Sequence, residues 1–127
     1  MYRVGILTIS DKGSRGERED LSGPEIKRIA EQNGYETVFM HIVPDEKEQI
    51  IKEMKEAADN NLCDLFLTTG GTGFAERDVT PEATLEVGEK TVPGIPEAMR
   101  AYSMTITPRG MLSRGVCVIR KKTLITI

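Results

Sequence analysis

The sequence predicts an α/β fold: a three-layer domain whose mainly parallel sheet is flanked by helices, with a C-terminal β-hairpin. Short apolar runs alternate with segments whose apolar residues have helical spacing, an order typical of strands joined by helical crossovers. The first run is continuously apolar, which favours a strand buried on both faces of the sheet. Because 127 residues accommodate one such core, we assign residues 1–127 to a single domain.

The first strand and helix are predicted in the N-terminal third of the chain. Arg3 to Ser10 is rich in β-branched residues and is predicted to form a strand. After a polar loop, Ser22 and Glu25 have the spacing of a capping box, and apolar residues at helical spacing follow them. This helix is expected to end at Gly34, a residue favoured at helix ends.

Two more strands follow, each with its own helix or loop. Glu36 to Val43 is predicted to be the second strand, and Asp45 with Glu48 is predicted to cap a helix that ends near Asn61. Leu65 to Thr69 is predicted to be a third, short strand that leads directly into a glycine-rich loop.

The C-terminal part is predicted to contain two helices and a hairpin. Thr80 before a proline is typical of a helix start, and this helix is expected to reach about Glu89. A second helix is predicted from Gly94 to about Met104. Val116 to Ile119 and Thr123 to Ile127 are strand-like and are predicted to form a β-hairpin at the sheet edge.

The composition indicates a globular protein and argues against several other classes. Hydrophobic residues make up 39% and charged residues 29%, which is typical of globular domains. No apolar run reaches the ~20 residues that cross a bilayer, so we expect no membrane partner and a cytoplasmic location. Cys63 and Cys117 lack metal-binding or redox spacing and are expected to be buried thiols. A basic segment over residues 109–122 is either an anion-binding surface or a solvated face, and its few aromatics argue against nucleic acid.

The loop from Thr68 to Asp78 is the strongest candidate for a ligand site. It follows the third strand, and loops at the carboxyl ends of parallel strands line the ligand crevice of open α/β sheets. Its glycines allow backbone N–H groups to form an anion nest, its threonines add donors, and Arg77 could neutralise a phosphate oxygen. It matches neither a Walker P-loop nor a G-x-G-x-x-G fingerprint. A tight strand-to-helix turn is the alternative interpretation.

Two aspartates are candidate metal ligands. Asp78 would repel a polyphosphate unless a divalent cation lay between them, and Mg²⁺ is commonly held by one or two carboxylates plus substrate phosphates. Asp45 follows the second strand and is predicted to face the same crevice, although a helix cap is its simpler role. Ser10 and Asp11, in the turn after the first strand, are placed similarly, with a hairpin-like turn or an Asx turn as the alternative.

No side chain is recognisable as a nucleophile or a general base. His41 lies within the second predicted strand without a Ser, Cys or metal-ligand partner at a known spacing. Phosphoryl or nucleotidyl transfer needs neither group when the attacking nucleophile is an ionised phosphate, whose second pKa is ~6. The sequence therefore favours transfer chemistry driven by positioning and charge neutralisation.

Several motifs resemble one known family along almost the whole chain. The most specific are T-T-G-G-T-G (residues 68–73) and R-D-V-T-P-E-A-T (77–84), supported by LTISD (7–11), DLSGP (20–24), VPDE (43–46), PGIPEAMR (93–100) and MLSR (111–114). Together they resemble the molybdenum-cofactor biosynthesis family that includes the bacterial MogA and MoaB proteins and the gephyrin G domain. The order of these matches makes chance an improbable explanation.

The resemblance implies a MogA/MoaB-like domain that adenylates molybdopterin with ATP and Mg²⁺, releases pyrophosphate and usually forms a homotrimer. A molybdenum-insertion enzyme is an implied partner. Asp45 and Asp78 match the family's functional, metal-associated acidic positions. The implied contacts with nucleotide or pterin phosphates involve Ser10, Asp11, Thr69, Gly70, Gly71, Thr72, Gly73 and Arg77. Ser113 and Arg114 match the pterin side of the site.

Two departures from the family pattern bear on function. Relatives continue beyond the last strand into an L-P-G-x-P-like turn and a closing helix, whereas this sequence ends at Ile127. We therefore expect either a truncated chain or an incomplete site, and a non-catalytic protein that binds molybdopterin or acts as a scaffold is the alternative function. Lys121 also stands in the hairpin turn where many relatives have glycine.

Overall fold

A computed structural model describes all residues from Met1 to Ile127. Strands and helices alternate through the first two thirds of the chain, as the sequence predicts. In chain order the elements are β1 (Arg3–Ile9), α1 (Asp11–Ser14), α2 (Ser22–Gln32), β2 (Glu36–Val43), α3 (Lys47–Asp59), β3 (Leu65–Thr69), α4 (Thr80–Val87), β4 (Lys90–Thr91), α5 (Gly94–Met104), a 3₁₀ helix (Pro108–Leu112), β5 (Cys117–Arg120) and β6 (Thr123–Thr126).

The six strands form one sheet in the order β2-β1-β3-β6-β5-β4. β1 pairs in parallel with β2 and β3, and β3 pairs in parallel with β6. β5 is antiparallel to both β6 and β4. The mainly parallel α/β fold with its C-terminal hairpin is therefore confirmed. The carboxyl ends of β1, β2 and β3 lie at one edge, which brings their following loops together.

Strand β1, which lies between β2 and β3, is buried on both faces. Val4 and Ile6 pack with Ala30 of α2 in a small apolar cluster on one face. Leu7 and Ile9 belong to the larger cluster, which includes residues of α3 and α4 on the other face. Helices on both faces of the sheet produce the three layers, and they explain why this strand is continuously apolar.

The starts of α2 and α3 differ from the predicted capping. Ser22 is the first residue of α2 and makes no capping bond; the Asp20 carboxylate instead accepts a hydrogen bond from the Gly23 N–H at 3.0 Å. α3 begins at Lys47, and no side chain caps it. The predicted cap role of Asp45 is therefore wrong, and its carboxylate has a different partner in the site.

The hairpin is formed as predicted but lies inside the sheet. β6 pairs with β3, and the two-residue strand β4 pairs with the other side of the hairpin at β5. The prediction of an edge position is wrong because β4 occupies that edge of the sheet. With only two residues, β4 is too short to have a sequence signature. In the turn, Lys121 adopts a φ of 52°, a left-handed conformation in which glycine is favoured. None of the helices has the length and apolar character needed to span a membrane.

Candidate active site

A cavity of about 650 Å³ opens at the edge where β1 and β3 end. Its lining includes the end of β1 and the next residue (8–10), the segment that leads into α2 (18–22), Asp45, the end of β3 with the turn that follows it (69–71), and Asp78. The parallel sheet brings these loops together, as the topology predicts. The cavity lies within the 300–1,000 Å³ range typical of small-molecule sites.

Gly70 and Gly71 form the turn at the floor of the cavity. Both have positive φ, 102° and 72°, so their conformation is one that other residues rarely adopt. A Cβ atom on Gly70 would lie well inside 3.0 Å of the Ile9 carbonyl oxygen. A Cβ on Gly71 would meet the Thr80 hydroxyl in the same way and would reach 3.2 Å from Asp45 Oδ1. The two glycines therefore allow the loop to pass between β1 and the start of α4.

Asp45 is joined to Asp11 by two reciprocal hydrogen bonds. The Asp11 backbone N–H donates to Asp45 Oδ2 at 3.0 Å, and the Asp45 backbone N–H donates to Asp11 Oδ1, also at 3.0 Å. The loops after β1 and β2 are thus fixed to each other. Of these two residues, Asp45 lines the cavity and Asp11 does not, so Asp11 positions Asp45 from behind.

Arg77 connects the third loop to this pair. Its Nε donates to Asp11 Oδ2 at 2.7 Å, and a terminal nitrogen donates to Asp11 Oδ1 and Glu46 Oε1, each at 2.9 Å. We call these contacts among Asp11, Asp45, Glu46 and Arg77 the carboxylate bridge. The Arg77 guanidinium is therefore engaged by carboxylates and would have to release them before it could contact a phosphate.

Asp78 faces the cavity from the loop before α4. Its Oδ2 accepts a hydrogen bond from the Ala75 N–H at 3.0 Å, which turns the end of the loop back on itself. Arg114 supports the same loop by donating to the Gly73 carbonyl at 2.9 Å, the Asp78 carbonyl at 2.7 Å and the Glu82 carboxylate at 2.7 Å. Arg114 therefore holds the backbone that carries Asp78.

The pKa values of Asp45 and Asp11 are shifted in opposite directions. Hydrogen bonds from Arg77 and then from the Asp45 N–H lower the pKa of Asp11 to about 2. Burial raises the pKa of Asp45; the Asp11 N–H opposes this shift, while the charges of Asp11 and Asp78 reinforce it. Asp45 and Asp78 are thus close enough to repel one another, and a cation between them would relieve that repulsion.

The donors present fit a magnesium ion that also binds substrate phosphates. No group of three or more His, Cys, Asp or Glu side chains is arranged to hold a metal. The protein offers the carboxylates of Asp45 and Asp78, which are hard oxygen donors, and Mg²⁺ commonly takes one or two such ligands while substrate and water complete its shell. This chemistry suits a site that is completed by its substrate.

The cavity brings together only part of the predicted set. Six of the predicted residues line it: Ser10, Asp45, Thr69, Gly70, Gly71 and Asp78. The others lie outside the lining, namely Asp11, Thr72, Gly73, Arg77, Ser113 and Arg114. The Ser113 carbonyl accepts from Arg100 at 3.2 Å, and its hydroxyl accepts from the Gly115 N–H at 3.3 Å.

The sequence did not predict that the segment leading into α2 forms one wall of the cavity. Asp20 accepts hydrogen bonds from the Thr8 hydroxyl at 2.9 Å and from the Gly23 N–H, and it lines the cavity with Arg18 and Ser22. The D-L-S-G-P motif was the available signal, because it places an acidic residue beside a helix start. Nothing in its spacing shows that the helix start faces the end of β3.

Comparison with known proteins identifies the family of this chain. The family model described as "Probable molybdopterin binding domain" matches residues 5–127. A Haemophilus influenzae protein named molybdopterin adenylyltransferase is 42% identical over 127 residues, and the match covers 98% of this chain and 64% of that protein. A Helicobacter pylori protein of the same name is 44% identical over 124 residues, with 96% and 70% covered. This chain thus spans about two thirds of the length of these relatives.

A solved structure gives the same result. The molybdopterin biosynthesis enzyme MoaB from Thermus thermophilus matches with a TM-score of 0.93 at 48% identity, covering 99% of this chain and 79% of that one. The family model and these relatives all match nearly the whole of this chain. The chain therefore belongs to the family of molybdopterin-binding domains involved in molybdenum cofactor biosynthesis.

Proposed function

We propose that this protein transfers the adenylyl group of ATP to the terminal phosphate of molybdopterin and releases pyrophosphate. The observation that carries the proposal is the pairing of two carboxylates, Asp45 and Asp78, with the Gly70–Gly71 turn in one polar cavity. The family membership and the names of the relatives support the same reaction.

The attacking group is an oxygen of the molybdopterin phosphate, which is ionised near neutral pH and needs no base. It forms a bond to the α-phosphorus of ATP while the bond from that phosphorus to the bridging oxygen breaks, and pyrophosphate leaves. The Gly70–Gly71 turn and the hydroxyls of Ser10 and Thr69 bind phosphate oxygens. The chain's contribution is to hold the two phosphates in line and exclude competing geometries.

Asp45 and Asp78 would hold Mg²⁺, which supplies charge neutralisation at the phosphates when bound. The carboxylate bridge keeps Asp45 in position, and Arg114 keeps the Asp78 loop in position. For Asp11, Arg77 and Arg114 we therefore propose positioning roles behind the cavity. Thr72 and Gly73 extend the turn at Gly70 and Gly71 toward Asp78, and we propose no direct substrate contact for Ser113, which contacts Arg100 and Gly115.

Turnover of the purified protein with molybdopterin and MgATP tests the proposal. Pyrophosphate release and the adenylated pterin should appear together in equal amounts, and Asp78→Asn should reduce turnover by about 100-fold or more while nucleotide affinity changes far less. Binding of both substrates without any product would instead favour a protein that carries or presents molybdopterin without catalysis.

We extend the proposal to the oligomeric state, the location and the partner of the protein. A homotrimer is supported by the family resemblance and by large exposed apolar side chains such as Phe74, Ile106 and Met111. Light scattering of the purified protein would measure its mass directly. A cytoplasmic location and delivery of the product to a molybdenum-insertion enzyme follow from the same proposed role.

A further inference from the structure

Arg18 lies in the segment between α1 and α2 and contributes to the lining of the cavity. It is the one basic side chain in that lining. Its neighbour Arg15 forms an ion pair with Glu17 at 2.6 Å, whereas Arg18 makes no hydrogen bond or ion pair with any group of the chain. Arg18 is thus a cation at the cavity whose donors are free.

The other nearby arginines are committed to protein groups. Arg77 donates to the carboxylates of Asp11 and Glu46. Arg114 donates to two loop carbonyls and to Glu82. Neither belongs to the cavity lining. A phosphate entering the cavity therefore finds only one guanidinium that can bind it without breaking an existing ion pair.

None of the acidic residues of this segment, Glu17, Glu19 and Asp20, forms an ion pair with Arg18. Both oxygens of Asp20 already accept hydrogen bonds, one from Thr8 and the other from Gly23. Glu17 is paired with Arg15. A guanidinium that lacks an internal partner and faces a polar cavity is available for a planar, two-donor contact with phosphate oxygens.

The charge of the cavity favours such a contact. Four carboxylates line it, those of Glu19, Asp20, Asp45 and Asp78, against the single cation of Arg18. A polyphosphate would be repelled by this lining. A metal ion at Asp45 and Asp78 would neutralise one part of the lining charge, and Arg18 would offset the negative charge of the part next to α2.

We propose that Arg18 is a substrate-binding residue that contacts a phosphate group in this cavity, either of the nucleotide or of the phosphorylated pterin. The proposal rests on the proposed function, since it takes the phosphorylated substrates of that reaction as the ligands. It assigns a binding role to a residue that lies outside the family motifs of the sequence.

Substitution at this position, with a matched control nearby, tests the proposal. Arg18→Gln should weaken binding of MgATP and of inorganic tripolyphosphate, measured by calorimetry, by about fivefold to tenfold at low salt. Arg15→Gln removes the same charge from the same segment but not from the cavity, so its effect should stay below about twofold. Arg18→Lys should recover part of the lost affinity, and added salt should narrow the difference between wild type and Arg18→Gln.

The outcomes separate the two phosphate sources and the two proposals. If MgATP binding is unchanged but the KM for molybdopterin rises about fivefold or more without loss of kcat, Arg18 binds the pterin phosphate. If wild type and Arg18→Gln match in both nucleotide affinity and pterin KM, or if Arg15→Gln has an equal effect, the role of Arg18 is refuted while the proposed function stands. If wild type binds neither substrate, both proposals fail.

Discussion

Replacing Gly70 by alanine should damage the turn at the floor of the cavity. The cost has two parts. Gly70 has a φ of 102°, and placing a side chain in such a conformation costs about 1–2 kcal/mol. The new Cβ would also lie well inside 3.0 Å of the Ile9 carbonyl oxygen, which is part of β1 and cannot rotate away. Overpacking of this kind costs typically about 1–3 kcal/mol, so the total expected loss is about 2–5 kcal/mol.

Urea denaturation followed by circular dichroism measures this loss, and Gly34→Ala is the matched control. Gly34 also has a positive φ, 85°, but a Cβ there meets nothing within 4 Å, so its loss should be only about 1–2 kcal/mol. Gly70→Ala should in addition bind MgATP more weakly, because the turn must shift to relieve the contact. Equal destabilisation of the two variants, with unchanged MgATP affinity for Gly70→Ala, would refute the reasoning about this turn.

Three further predictions concern the carboxylate bridge, the partly buried Asp45 and an unpaired hydroxyl. Arg77→Met should lower turnover by about tenfold with little change in thermal stability. Arg15→Met removes an arginine of similar exposure that is paired with Glu17 outside the cavity, so it should leave turnover unchanged. Equal turnover in both variants would contradict the positioning role. Asp45→Asn should stabilise the protein against urea at pH 7, because burial and neighbouring charges raise the pKa of the folded carboxyl and so disfavour its ionised form. That advantage should disappear as the pH falls below the unfolded pKa of about 3.9, and a pH-independent difference would count against it. Thr37→Val should be neutral or stabilising, because the buried Thr37 hydroxyl has no hydrogen-bond partner. Thr123→Val should cost about 1 kcal/mol through loss of the 2.8 Å hydrogen bond to the Cys63 carbonyl. A larger loss of stability in Thr37→Val than in Thr123→Val, measured by urea denaturation, would contradict the assignment.

The sheet and its helices were predictable because their signals are local. The continuous apolar run of β1 results from helices on both faces, and the order of strands and helices implies parallel pairing. Parallel pairing in turn predicts that the loops after β1, β2 and β3 meet, as they do at the cavity. The position of the hairpin was not predictable, since β4 has only two residues and its pairing with β5 is set by tertiary contacts.

The partners of charged side chains were the least predictable part of the site. The sequence around Asp45 satisfies the pattern of a helix cap, and only the fold shows that the Asp11 N–H takes its carboxylate instead. Arg77 next to a glycine-rich loop suggested a phosphate contact, but Asp11 and Glu46 reach it from two other loops. No sequence motif indicated that Arg18 lines the cavity, because its position there depends on how the polar segment before α2 folds back toward β3.

The fate of the individual phosphates of ATP tests the central claim most directly. Purified protein is incubated with molybdopterin, Mg²⁺ and ATP that is labelled at either the α-phosphate or the γ-phosphate, and the pterin product is separated from pyrophosphate. Adenylyl transfer predicts that the α label enters the pterin and the γ label leaves as pyrophosphate, with both signals lost in Asp78→Asn. Appearance of the γ label in the pterin, or retention of full activity by Asp78→Asn, would contradict it.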